Sequence, residues 1–111
     1  MSTGCYRQGD IVLQRIPAPP PGCAEVPPRR HGGALAHVLA EGEGGGHAHR
    51  VPAEPGTRLL QGEGEAYLEL VAPARLLHEE HAPIDLPAGA YRVVRQRRYD
   101  PWRASHRRAG D

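Results

Sequence analysis

Fourteen glycines and twelve prolines punctuate this 111-residue chain so evenly that the longest stretch free of both, residues 90–100, has eleven residues. Both residue types break helix interiors, so helices of ordinary length have nowhere to form and a helical bundle is excluded. A chain of this length holds one domain with a small core. No apolar run approaches the ~18 residues of a membrane-spanning helix. The opening MSTGCYRQGD has no apolar stretch of the secretory type, so a cytoplasmic protein is expected.

What remains between the breakers has the character of short strands. GDIVLQRI (9–16) places Ile11 and Leu13 on one face and Val12 and Ile16 on the other. ALAHVLAE (34–41), HAHRV (47–51), TRLLQ (57–61), EAYLELV (65–71), ARLLHEEH (74–81), PIDL (83–86) and AYRVVRQRRY (90–99) follow, with Gly62-Glu63-Gly64 as a hairpin turn and Pro87-Ala88-Gly89 as a second turn. Seven or eight short strands spaced by turn chemistry predict an all-β, single-domain small barrel or sandwich. Residues 1–8 are expected to be a flexible tail, 9–100 the β domain, and 101–111 a polar C-terminal tail. Within the domain, the prolines of 17–33 predict a long extended loop.

Net charge is +1, so the whole chain is no electrostatic magnet for nucleic acid. Every basic residue is Arg, and with so much Ala, Gly and Pro this has the look of a GC-rich bacterial coding sequence. Cys5 and Cys23 are expected as free thiols in a reducing compartment.

Of the seven histidines, four form two tight pairs. In Gly46-His47-Ala48-His49 the two imidazoles share one face of a strand, which is half of a metal site, and the preceding glycines leave room for a ligand. In His78-Glu79-Glu80-His81, strand parity puts His78 with Glu80, but a bend before Pro83 would bring His81 round as well. The expected metal ligands are therefore His47, His49, His78 and, through the bend, His81, with Glu80 as the alternative to His81, and Glu79 or Glu80 as general base. Such N/O donors suit a divalent metal (Zn, Mn, Fe, Ni or Cu), and three protein ligands would leave a position open for water or substrate. Surface histidines without a metal, and metal-free acid–base catalysis by His47 and His81 on RNA, are the alternatives. His31, His37 and His106 stand alone and carry no functional expectation.

The spacing of these residues resembles the cupin family. Four residues separate Gly42 from His47, four separate His49 from Glu54, seven separate Glu54 from Gly62, and Pro87-Ala88-Gly89 stands where a second motif begins, so the resemblance covers about residues 42–92. It implies a conical barrel holding one metal through His47, His49 and Glu54. Arg92 occupies the place of the last ligand, and a protonated guanidinium cannot ligate, so His78 or His81 would take that part. The GHAHR and HEEH blocks are also similar to short uncharacterised bacterial and phage proteins, a similarity that implies no activity.

The last strand alternates Tyr91, Val93, Arg95, Arg97 and Tyr99 on one face with Arg92, Val94, Gln96 and Arg98 on the other. Arg92 or Arg95 would hold an anionic small-molecule substrate beside the metal. As the rival function, Arg92, Arg95, Arg97 and Arg98 with the tyrosines would bind RNA or an acidic protein without catalysis. Edge-strand protection against aggregation explains the same charges with no partner at all. Pairing through an edge strand into a homodimer is a further expectation.

Overall fold

In the computed structural model, residues 4–42 and 46–96 are described; the expectations for Gly44, Gly45, Arg97, Arg98, Tyr99, His106 and the 101–111 tail lie outside them. The described residues form strands and no helix, as the density of Gly and Pro requires. A six-stranded antiparallel sheet has the order β1(Cys5–Gln8), β2(Ile11–Ile16), β11(Gly89–Arg95), β8(Glu65–Leu70), β7(Thr57–Gly62), β3(Ala24–Val26). A smaller sheet runs β4(Arg29–His31), β5(Ala34–Glu41), β6(Ala48–Pro52). The hairpin β9(Ala74–Leu76)–β10(Ile84–Leu86) joins β6 through reciprocal backbone bonds between Arg50 and Leu77, 3.0 and 2.8 Å long. The arrangement is sandwich-like, and the sheets do not close into a barrel among the described residues.

The core lies between these layers. Ile11 and Leu13 of β2, Leu68 and Leu70 of β8 and Tyr91 of β11 meet Val51 of β6, Leu76 of β9 and Leu86 of β10. Burial of each such side chain contributes ~1.5–3 kcal/mol. Register puts six residues on one side of the sheet, Tyr91 with Arg15, Val93 with Leu13, and Arg95 with Ile11; of these Ile11, Leu13 and Tyr91 are buried in the core, while Arg15 and Arg95 stay exposed. Tyr91 is fully buried because its hydroxyl donates to the Pro87 carbonyl at 2.6 Å and its ring meets Tyr6 edge-on. The alternation of Tyr91 and Arg95 is as expected, but this face points into the sandwich rather than toward solvent.

Two boundaries differ from expectation. Residues 5–8 are not a tail: they pair with β2 from Cys5–Gln14 to Gln8–Ile11 across a Gly9–Asp10 turn, with Gly9 at φ 60°. Inside the Pro-rich 17–33 segment, β3 and β4 form three-residue strands against β7 and β5. Both are sheet edges, where proline neighbours leave no central ladder unmet.

His37, which carries no functional expectation from the sequence, is only 4% exposed. It faces inward opposite Val51, and its Nδ1 has no hydrogen-bond partner among the described residues. Burial holds its pKa below the usual imidazole value despite a hydrogen bond to the Thr57 backbone. A depressed folded-state value means that stability is full above the ordinary value of 6.5 and is lost as pH falls below it. His37→Leu is therefore expected to lose less stability than the wild type between pH 7 and 5, measured by urea denaturation at each pH.

Candidate functional site

The two histidine pairs meet at one open end of the sandwich. There the β1–β2 turn, the start of β6, the 77–83 connection and the end of β11 surround a cavity of about 520 Å³. His49 continues the inward face of Val51 along β6, and His47 lies two residues earlier on the same side. Beside His49, the pairing of β5 with β6 shifts between Val38 and Ala40, a bulge of the kind that re-aims strands near sites. β9 ends at Leu76, and 78–81 takes the bent course, the second of the two expected for it, which brings both His78 and His81 to the cavity.

The rings of His49 and His78 lie 4.3 Å apart, His78 and His81 4.6 Å, His47 and His78 5.6 Å, and His49 and His81 5.9 Å. Gly9 lets this cluster close up: a Cβ there would stand 2.6 Å from His81 Nε2. Although the rings gather, among the described residues no group of three or more His, Cys, Asp or Glu has its donor atoms converged for a metal ion as they stand.

Gln8, 3% exposed, fixes the chemistry of His49. Its amide nitrogen donates to the carbonyls of Leu76 (3.1 Å) and Ala82 (3.0 Å). A carbonyl oxygen cannot donate, so the amide has one orientation, and its Oε1 is left to face His49 Nδ1 at 2.8 Å. That nitrogen must carry the proton. The other nitrogen, Nε2, faces Asp10 Oδ1 at 3.1 Å. Burial, then the neighbouring His78, hold the His49 pKa below the usual range, which favours the neutral ring. In that state a nitrogen lone pair points at a carboxylate oxygen.

Asp10 is ionised in this setting: burial pushes its pKa up, but the hydrogen bond and charge of Arg95 outweigh it and hold the value low. Arg95 donates from Nε to Asp10 Oδ2 at 2.9 Å and from a terminal nitrogen to the Glu41 carbonyl at 2.8 Å. For His78 burial is again the main cause of a lowered pKa, followed by His81, and its Nδ1 accepts from the Glu80 backbone at 3.0 Å.

The two carboxylates expected as bases separate. Glu80 lines the cavity, 3.7 Å from His47 Nδ1 and 68% exposed. Glu79 turns away to His31 Nε2 (2.5 Å), the backbone N–H of Ala48 (2.9 Å) and Arg50 (3.2 Å). The His31 bond, then the Ala48 bond, bring its pKa down to about 2, so it is no proton acceptor near neutral pH. Its role is to tie β4 and β6 to the loop bearing His78 and His81.

Arg92 is not at the site either. It occupies the outer face of β11, bound to Glu65 (2.9 Å) and to Gln14. Arg95, one position off in parity from Arg92, reaches the cavity. Arg92 and Arg95 thus lie on opposite faces of the strand, each neutralised by a carboxylate. Glu54, the residue implied by the cupin resemblance, is exposed beside a different cavity with Pro73, Arg75 and Asp85. The residues missed from sequence are Arg7, Gln8 and Asp10, all in or beside the segment taken for a tail. The signal was present: a Gly-Asp pair between two extended runs is a hairpin turn.

An all-β sandwich with a histidine-lined cavity at one end is the class that these features define. The chain belongs to the family described as a domain of unknown function (DUF8820), which matches residues 7–96. That span contains every residue lining the cavity, from Arg7 to Gln96. No curated protein and no solved structure matches the chain. No helix among the described residues is long and apolar enough to cross a membrane.

The Glu79 contacts generate the first test of this site. Glu79→Gln is expected to lower the melting temperature at pH 7 by several degrees, because the His31 and Arg50 contacts lose their charge. Glu80→Gln, at an exposed position, is expected to leave it unchanged, as measured by circular dichroism.

Proposed function

We propose that the protein binds one divalent metal ion at the histidine cavity through His49, His78, His81 and Asp10, with His47 at the mouth as a further donor. The observation that carries this reading is the gathering of His47, His49, His78, His81 and the Asp10 carboxylate around one cavity, with His49 Nε2 3.1 Å from Asp10 Oδ1. Ligand atoms ~2.0–2.2 Å from one metal and ~90–110° apart stand ~3.0–3.5 Å from each other, which accommodates the observed distance. Gln8 acts as the outer partner that sets the tautomer of a ligating histidine.

His78 and His81 sit on an irregular loop at the cavity edge. Mixed imidazole and carboxylate donors suit Zn, Mn, Fe or Ni. Such an ion, with a coordination position left for water or substrate, would supply Lewis-acid or hydroxide chemistry. Glu80 is the carboxylate left for proton transfer beside it. The partial cupin motif agrees with this reading at His47 and His49 alone.

Titration of metal-free protein with Zn²⁺, Mn²⁺, Fe²⁺ and Ni²⁺ by calorimetry, with elemental analysis, tests the proposal. One ion per chain is expected, lost in His49→Ala. Gln8→Leu is expected to weaken binding by ~10–100-fold, as removal of a ligand's outer partner does, and Asp10→Asn, which removes a charged ligand itself, by at least as much. No uptake of any of the four metals, or uptake unchanged in His49→Ala, overturns the reading.

A further inference from the structure

We infer that the metal-loaded cavity binds a small molecule through a carboxylate or phosphate oxyanion, held between the metal and the guanidinium of Arg7; this rests on the metal reading above. The charged residues of the lining are Arg7, Arg95, Asp10 and Glu80. Two cations and two anions cancel, so a divalent ion leaves a cavity of about 520 Å³ with an excess charge of about +2. An anionic ligand restores the balance.

The two arginines are not equivalent. Arg95 spends its hydrogen bonds on Asp10 and the Glu41 carbonyl, so it fixes a metal ligand in place. Arg7 has no carboxylate partner among the described residues; its one side-chain bond runs to the neutral Gln96 Oε1 at 2.5 Å. That bond holds the guanidinium at the cavity wall without consuming its charge. A planar guanidinium on the wall of the cavity that holds the imidazoles is suited to an oxyanion with two exposed oxygens. The volume falls in the range of clefts that take small molecules.

The test uses the full chain, metal-free and loaded with whichever of Zn²⁺, Mn²⁺, Fe²⁺ and Ni²⁺ it takes up. Metal stoichiometry is measured first, and inorganic phosphate and succinate are then titrated at fixed ionic strength by calorimetry. At least one of the two anions is expected to bind the loaded form tenfold or more tightly than the metal-free form. Arg7→Ala should weaken that binding at least tenfold with one metal per chain retained, and Arg7→Lys should recover part of it. Preference for phosphate or for succinate identifies the oxyanion, and either preference supports the inference. Full metal occupancy with no binding of either anion, or with equal anion binding in wild type and Arg7→Ala, overturns the inference and leaves the metal reading standing. Absence of metal uptake overturns both.

Discussion

The amide of Gln8 is the contact on which the cavity depends. It is buried in the first strand, and its nitrogen grips the backbone at Leu76 and Ala82, the two ends of the connection that carries His78 and His81. Its oxygen sets the proton on His49. One side chain thus joins three separate stretches of chain and decides which nitrogen of the central histidine offers a lone pair. A buried primary amide can do this because it has two donors and an acceptor in fixed geometry, and leaving any of them unmet is costly.

Around this hub the charges fall into two groups with different work. Glu79, His31 and Arg50 form a bracket outside the cavity that fastens the small sheet to the His78–His81 bend. Asp10, Glu80, Arg7 and Arg95 line the cavity itself. The division follows from position: adjacent residues of a bent chain diverge, so Glu79 and Glu80 leave the backbone in different directions. Two neighbouring carboxylates with the same sequence context therefore have opposite fates, one clamped and strongly acidic, the other in solvent.

The strand content, the hairpin at Glu63–Gly64, and the sharing of a face by Ile11 with Leu13 and by His47 with His49 were legible in the sequence. Each depends on local rules, the period of two along a strand and the turn preference of glycine. Apart from the Gly9–Asp10 turn that precedes β2, the edge strands were not legible in that way. CYRQ is four residues long with no alternating apolar pattern of its own, and it is a strand because β2 offers it a partner. The same holds for AEV and RRH between the prolines, which take their conformation from β7 and β5.

What the sequence by itself determined is the class of fold and the presence of two histidine pairs, because Gly and Pro forbid helices and strand parity is fixed by covalent geometry. What only the tertiary structure decided is the company those histidines keep. Strand order brings Gln8 and Asp10 from one end of the chain, and Arg95 from the other, to rings near its middle. Which face of β11 looks inward was also decided there: parity groups Tyr91 with Arg95, but only the second sheet packed against them turns that face into core and cavity. Long-range pairing chooses among faces that are equivalent along an isolated strand, and no local pattern encodes that choice.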